Sequence, residues 1–273
     1  MLIFVIVCLV FSLFYVDNPR VGSKDSKVPV PCGRCPDCLK RRADNWIFRI
    51  KQHSLVAKSA MFLTLTYTTE FVPISENGFM TLDKRDLQLF WKRLRKHIGK
   101  GNTVKFYAVG EYGSKNERPH YHAILFDADV DSVLKSWSLG KIDIQGVTTG
   151  SIAYVTKYLD KGRIVPAHRN DDRLKEFSTM SRYLGINYLT PDKVRYHKAD
   201  VSRNYVVVDG FKMAMPRYYR EKIFTKEEKD MQAAIVEENV NQMEEQRRRE
   251  YLEVHGTMPV SYTHLTLPTI YSV

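Results

Sequence analysis

The sequence predicts an α+β fold, in which an antiparallel sheet has helices packed on one face. Residues 104–109 form a β-prone run, residues 114–119 have turn composition, and a second β-prone run continues to residue 126. Strands joined by so short a connection should pair antiparallel. An early apolar run at 62–67 supplies another strand, and an amphipathic segment at 83–97 supplies a helix to cover the sheet.

The segment at 83–97 has the spacing of a helix that packs on a core. Leu87, Trp91 and Leu94 share one side of this helix, and its lysines and arginines lie on the other side. Its basic residues can therefore be explained as a solvated helix face.

The length of 273 residues is enough for one well-buried core with a small appendage. We predict six segments along the chain. They are an apolar N-terminal segment at 1–27, a Cys-rich segment and helix at 28–59, an endonuclease-like core at 60–162, a basic extension at 163–225, a charged helix at 226–256, and a sequencing-adaptor artefact at 260–273.

The two ends of the chain have unusual compositions. Residues 1–15 are apolar and uncharged, too few to span a membrane, and they lack the basic start of a signal peptide. We interpret them as a buried strand or a wrongly assigned start, with a membrane anchor as the alternative, and expect no stable membrane association. Residues 260–273 read as an in-frame translation of a sequencing-library adaptor, so His264 is not counted as a ligand.

The chain carries a strong excess of positive charge. It has 42 Lys and Arg against 31 Asp and Glu, a formal net charge of +11, which favours a polyanionic partner. Aromatic residues lie among the basic clusters, as in proteins that hold single-stranded nucleic acid by phosphate contacts and base stacking. The candidate DNA contacts are Lys40, Arg41, Arg42, Arg217 and Arg220, and the interspersed aromatics are Trp46, Trp91, Tyr218 and Tyr219.

Two histidines open the second β-prone run. Side chains alternate along a strand, so His120 and His122 point to the same face. Antiparallel pairing with the preceding strand brings Glu111 across from His120. One carboxylate and two imidazoles, with water completing the shell, suit Mg²⁺ or Mn²⁺ better than a closed zinc site. The alternative is two surface histidines and a solvated turn residue.

Two consecutive Tyr-x-x-Lys units form a second motif. Tyr154, Lys157, Tyr158 and Lys161 fall on a short predicted helix with Ser151 as its N-cap. Four-residue spacing places the two tyrosines on one face. A tyrosine hydroxyl is a poor nucleophile unless a cation assists it, and lysines can stabilise phosphate charge. The alternative is an ordinary amphipathic helix.

Taken together, these motifs resemble the HUH endonucleases, the rolling-circle replication initiators. The chain most resembles the initiators of microviruses, gokushovirus-like phages with single-stranded DNA, over about residues 18 to 225. Further segments that fit this group are Pro31-Cys32-Gly33-Arg34-Cys35-Pro36-Asp37-Cys38, Gly110-Glu111-Tyr112-Gly113, Ser181-Arg182-Tyr183-Leu184-Gly185 and Met215-Pro216-Arg217-Tyr218-Tyr219-Arg220.

This resemblance implies a nickase and strand transferase. Tyr154 and Tyr158 would attack single-stranded origin DNA in turn, forming a 5′-phosphotyrosine and later rejoining the ends, with Lys157 and Lys161 beside them. The implied partners are the phage origin and the host replication helicase and polymerase, in the cytoplasm of the bacterial host. Two alternatives stay open: a non-catalytic, zinc-stabilised single-strand-binding protein, and a conjugative relaxase or single-strand transposase.

The cysteines suggest a second, structural metal. Cys32, Cys35 and Cys38 have a spacing that can wrap a soft metal but are one ligand short of a closed zinc site. Cys8 is the only other cysteine, and the resemblance supports it because the family usually has a cysteine upstream of an Asn-Pro-Arg segment, here at 18–20. A reduced thiol cluster or an iron–sulfur cluster are the alternatives to structural Zn²⁺.

Overall fold

The computed structural model describes residues 13–17, 27–31, 33, 35–99, 101–157, 165–208 and 210–256. Its elements in chain order are β1 (Leu13–Asp17), β2 (Lys27–Pro31), α1 (Pro36–Ser54), β3 (Ala60–Thr66), α2 (Lys84–Ile98), β4 (Lys105–Tyr112), β5 (Pro119–Phe126), α3 (Val130–Leu134), β6 (Ile142–Gly146), α4 (Thr149–Lys157), β7 (Phe177–Met180), α5 (Pro191–Lys198), β8 (Tyr205–Val208), β9 (Phe211–Ala214), α6 (Arg217–Ile223) and α7 (Lys226–His255). The chain forms two units, one of Leu39–Tyr188 and one of the segments on either side.

The unit Leu39–Tyr188 is built on a five-stranded sheet in the order β6-β3-β5-β4-β7. All neighbouring strands in it are antiparallel. The predicted antiparallel pairing of the two central runs is therefore confirmed, and so is the mixed α+β class. Because β4 and β5 are joined by a short turn, their register is fixed locally.

Helix α2 covers one face of this sheet as predicted. Asp83 caps its N-terminus by accepting a hydrogen bond from the Arg85 amide. Leu87, Trp91 and Leu94 are buried, and Trp91 stacks on Phe106 of β4 with ring centroids 3.8 Å apart. Trp91 therefore belongs to the core and offers no surface for stacking bases.

The prediction that helices cover only one face is wrong. A second apolar cluster joins Ile50 of α1 and Ile152 of α4 to Phe62, Tyr107 and Ile124 on the opposite face of the sheet. The reason lies in β5, where both alternating side-chain sets are almost entirely buried. Strands buried on both faces need cover on both faces.

The other unit contains the helices and the ribbon of the C-terminal part. Residues 226–256, expected to form a charged helix, contain α7, which begins with a capping box between Thr225 and Glu228 and ends at Gly256 in the left-handed conformation. Strands β8 and β9 form an antiparallel two-stranded ribbon. None of the helices in the described part of the chain is long and apolar enough to cross a bilayer.

A buried ion pair ties the segment after residue 165 to the β4–β5 turn. The Arg173 guanidinium donates to both carboxylate oxygens of Asp171, at 2.8 and 2.6 Å, and to Glu117 in the turn. The side chains of Arg173 and Asp171 are 4% and 0% exposed. The hydrogen bonds from Arg173 hold the pKa of Asp171 well below its usual range, so its carboxylate stays ionised.

Replacing Arg173 by Met should strongly destabilise this unit. Arg173→Met leaves the Asp171 carboxylate buried without its cation, and we expect a loss of about 3 kcal/mol in the free energy of unfolding. Denaturation followed by tryptophan fluorescence measures this, because all three tryptophans, Trp46, Trp91 and Trp137, lie in this unit. Arg95→Met, at an exposed position on α2, is the matched control, and an equal loss in both variants would contradict the role of the ion pair.

Candidate metal and nucleophile site

Strand register brings the carboxylate and the two imidazoles together. Glu111 of β4 lies opposite His120 of β5, and His122 lies opposite Thr64 of β3 on its other side. Directly opposed residues in antiparallel strands point to the same face. The predicted position of Glu111 across from His120 is therefore confirmed.

The three side chains converge within reach of one ion. Glu111 Oε1 lies 2.7 Å from His120 Nε2 and 3.0 Å from His122 Nε2. One ligand atom from each residue lies within 4.8 Å of the other two. Glu111 is 2% exposed and His122 is 7% exposed, whereas His120 is at the open edge of the cluster.

A second layer of contacts orients both imidazoles. His120 Nδ1 is 3.1 Å from the Arg118 carbonyl, which can only accept, so we assign the proton to Nδ1. His122 Nδ1 shares a 3.0 Å hydrogen bond with Thr64 Oγ1. Such outer contacts leave Nε2 of each ring as the metal-facing nitrogen. The sequence pattern contained no signal for Thr64, which is distant in the chain.

The Phe62 ring fixes His122 from the side. The two rings are stacked, with centroids 5.4 Å apart and an interplanar angle of 6°. Stacking against an aromatic ring of the sheet limits rotation of the imidazole and keeps Nε2 aimed at Glu111.

Glu111 remains ionised despite its burial. Burial by itself raises its pKa, but the hydrogen bonds and positive charge of His120 and His122 outweigh this and lower the pKa of Glu111 to about 2. A buried carboxylate with two imidazoles is a donor set that fits a divalent ion such as Mg²⁺ or Mn²⁺. The residues themselves do not decide which ion is bound.

Helix α4 delivers a tyrosine to this cluster. The Tyr154 hydroxyl donates a 3.0 Å hydrogen bond to Glu111 Oε1, and its ring meets His122 edge-on at 5.0 Å. Buried Ile152 and Val155 hold the helix on the sheet, while Tyr154 remains 40% exposed. Burial and the negative charge of Glu111 raise the pKa of Tyr154, so the phenol is protonated in this arrangement.

The start of α4 differs from the prediction. The helix begins at Thr149, before the expected cap at Ser151. Instead, the Thr148 side chain accepts from the Ser151 amide at 3.1 Å, and the Ser151 hydroxyl accepts from the Thr148 amide at 2.8 Å. This reciprocal capping satisfies two amides that a single cap at Ser151 would leave open.

The other residues of the tyrosine–lysine repeat are only partly described. Lys157 is exposed at the last turn of α4. Tyr158 and Lys161 lie outside the described residues, so the pairing of the two tyrosines stays a prediction.

A polar cavity of about 290 Å³ adjoins the cluster. The β4–β5 turn contributes Lys115 and Arg118 to its wall, and His120 and Thr66 form the side nearest the metal ligands. The Arg118 guanidinium donates to the Tyr67 carbonyl at 3.0 Å, which fixes its position. An anion seated here would lie beside His120.

The basic residues predicted to contact DNA differ in their surroundings. Lys40, Arg41 and Arg42 are all exposed on the first turns of α1. Arg217 is also exposed, with Nε 3.6 Å from Glu221 Oε1. Arg220 is half-buried and donates to Gln232 Oε1 at 3.0 Å, so it supports the packing of α7.

The predicted zinc ligands are only partly described. Cys35 is half-buried and Cys38 is buried at the start of α1. Cys8 and Cys32 lie outside the described residues. Structural zinc therefore stays a prediction.

The part of the chain that holds the cluster is similar to a known family. Residues 60–163, which contain Tyr154 and all three candidate metal ligands, match the family model described as replication-associated protein ORF2. The resemblance to replication-associated proteins of microvirus-type phages is confirmed. Across 225 residues the chain is 26% identical to replication-associated protein ORF4 of Chlamydia phage 1, covering 72% of this chain and 54% of that protein.

Two further relatives carry similar descriptions. Replication-associated protein VP4 of Bdellovibrio phage phiMH2K is 27% identical, covering 75% of this chain and 70% of that protein. Replication-associated protein ORF2 of Spiroplasma virus 4 is 29% identical, covering 63% and 60%. The chain thus spans about half to two thirds of the length of these relatives. No solved structure matches the chain significantly.

Proposed function

We propose that this chain nicks and rejoins single-stranded DNA at a phage replication origin by tyrosine transesterification. The observation that carries the proposal is the convergence of Tyr154 with Glu111, His120 and His122, at hydrogen-bond distance from the shared carboxylate. A protein that only bound DNA would have no need to place a tyrosine hydroxyl on a buried carboxylate–imidazole cluster.

The chemistry exchanges one phosphodiester for another. The Tyr154 oxygen forms a bond to the scissile phosphorus, and the bond from phosphorus to the 3′ oxygen breaks. The phenol proton leaves, and the 3′ oxygen gains a proton to become a 3′-hydroxyl that primes synthesis. The 5′ end stays on the protein as a phosphotyrosine, so rejoining needs no ATP.

The cluster holds the ion that this reaction requires. A divalent ion bound by Glu111, His120 and His122 supplies positive charge next to the scissile phosphate. Thr64, Phe62 and the Arg118 carbonyl hold the two imidazoles in place. Preorganised ligands of this kind avoid reorganisation during the reaction.

The remaining predicted residues take supporting roles. Tyr158 acts as the second nucleophile, and Lys157 and Lys161 offset phosphate charge beside the tyrosines. The cavity lined by Lys115 and Arg118 accommodates a neighbouring phosphate of the strand. Host helicase and polymerase then extend the freed 3′ end in the cytoplasm of the bacterial host.

Formation of a covalent adduct tests the proposal. The full chain is incubated with single-stranded DNA of the phage genome that encodes it, with Mn²⁺ or with EDTA. We expect a protein–DNA species that survives denaturing electrophoresis, forms only with the metal and disappears on nuclease digestion. Binding of DNA without any adduct under these conditions would favour the non-catalytic single-strand-binding alternative.

A further inference from the structure

The β8–β9 ribbon has one face turned to solvent. Tyr205 pairs with Ala214 and Val207 pairs with Lys212, so these four side chains share a face. Val207 is 57% exposed, whereas Val206, which points to the opposite face, is 1% exposed. An exposed ribbon face carrying an aromatic ring and a cation has no packing role to explain it.

A second tyrosine extends this face. The Tyr196 hydroxyl, from α5, lies 3.1 Å from the Tyr205 hydroxyl. The Lys212 ammonium lies over the Tyr205 ring at 4.3 Å, and the Arg203 guanidinium lies over the Tyr196 ring at 4.6 Å. We name the surface formed by Tyr196, Arg203, Tyr205 and Lys212 the aromatic ribbon surface.

The rings of this surface are held but not covered. Arg203 also donates to the Tyr196 carbonyl at 3.0 Å and lies 3.5 Å from Asp200, so it fixes the ring from one side. Tyr196 nevertheless remains 44% exposed. Tyr219, one of the aromatics that the sequence indicated for stacking, is by contrast 0% exposed and belongs to the core.

The surrounding charge selects the kind of partner. Residues 189–225 contain eight Lys and Arg against four Asp and Glu. Aromatic rings interleaved with cations on a positively charged surface match the requirements of a flexible polyanion with flat bases. A protein partner would more often meet a hydrophobic centre with few charges.

We propose that the aromatic ribbon surface binds single-stranded DNA, with bases stacked on Tyr196 and Tyr205 and phosphates at Lys212 and Arg203. The choice of DNA rests on the proposed function, but binding here needs neither the metal ligands nor Tyr154. Stacking is tolerant of sequence because every base has a flat face. The surface therefore retains the strand without selecting the cleavage site.

Oligothymidylate binding by the full chain tests this surface. Fluorescence anisotropy is measured in EDTA, so that the metal cluster does not contribute. We expect Tyr196→Ala and Tyr205→Ala each to weaken binding by about tenfold. Lys212→Ala should weaken binding and also make its dependence on salt shallower, by about 0.7 in the slope of log affinity against log salt.

Matched controls lie in the same unit. Phe211→Ala removes a 79% exposed aromatic from the other face of the ribbon, and Lys226→Ala removes an exposed cation at the start of α7. Tyr205→Phe keeps the ring and should bind as the wild type does. Circular dichroism must show the same helix content in all variants, so that a loss of binding is not a loss of folding.

The outcomes separate this inference from the proposed function. Unchanged affinity in the tyrosine variants, or equal losses in Phe211→Ala and Lys226→Ala, would overturn the aromatic ribbon surface even if adducts form normally. Losses confined to Tyr196, Tyr205 and Lys212 would support it even if no adduct ever forms, in which case only the proposed nicking activity fails.

Discussion

Tyr154→Phe is expected to remove most of the initial cleavage of single-stranded origin DNA, and the double variant with Tyr158→Phe is expected to form no covalent adduct. Phenylalanine keeps the ring that meets His122 edge-on at 5.0 Å, so the packing of α4 is retained. Only the hydroxyl that donates to Glu111 is lost. Removing a nucleophile lowers the rate by about 10³-fold or more when no other group replaces it.

Partial cleavage by the single variant would indicate that Tyr158 takes over the attack. Tyr183→Phe is the control, because Tyr183 is 54% exposed in the same unit and has no proposed catalytic role. Cleavage is measured on end-labelled DNA, and stability by thermal denaturation, where the lost hydrogen bond costs about 1 kcal/mol.

Peptide mapping of the trapped adduct decides the identity of the nucleophile. Attachment at Tyr67, Tyr112 or Tyr183 would refute the assignment. Tyr67 and Tyr112 are 4% and 2% exposed. Their hydroxyls donate to Asp86 and to the Leu174 carbonyl, which leaves them poorly placed to attack a phosphate.

Replacing both histidines by alanine should abolish nicking in Mn²⁺ while leaving most DNA affinity in place. His120 and His122 provide two of the three ligands of the proposed ion, and one remaining carboxylate holds a divalent ion weakly. DNA affinity depends mainly on phosphate contacts elsewhere on the protein. Nicking of labelled DNA and fluorescence anisotropy measure the two effects on the same preparations.

A gentler variant guards against a folding defect. Removing the His122 ring that stacks on Phe62 opens a cavity, so the double alanine variant will be less stable. Glu111→Gln keeps the side-chain volume and removes the charge that attracts the ion. We expect weaker Mn²⁺ binding by calorimetry and no nicking, with unchanged circular dichroism.

Thr66→Ala is the matched control for the metal variants. Thr66 lies directly opposite His120 on β3, at the same edge of the sheet, and supplies no proposed ligand. Its replacement should leave Mn²⁺ affinity and nicking near the wild-type values. Full nicking by the double histidine variant, together with indifference of the wild type to EDTA, would end the metal interpretation.

Part of the fold was predictable because its signals are local. The turn at 114–119 fixed an antiparallel hairpin, and the apolar stripe of the segment at 83–97 predicted α2. The second covered face was missed because a run such as β5, apolar on both of its faces, has no clear alternation for the sequence to show. The predicted segment boundaries and the cysteine site stay predictions.

Surface aromatics were the least predictable feature. Trp91 and Tyr219 were expected among the stacking residues, yet both are buried, because a helix turns each aromatic residue toward the core or solvent according to its neighbours. Tyr196 and Tyr205 form the exposed pair instead. They come from a helix and a strand, and no sequence spacing relates them.

The sequence by itself determined the metal ligands, because strand alternation puts His120 and His122 on one face and a short turn places Glu111 opposite. Only the tertiary structure decided what meets them. Tyr154 is 43 residues from Glu111, and Thr64 is 58 residues from His122. Their contacts depend on burial of Ile152 and Val155 against the sheet and on the pairing of β3 with β5. Such contacts arise when distant apolar surfaces are removed from water together, and local periodicity does not encode them.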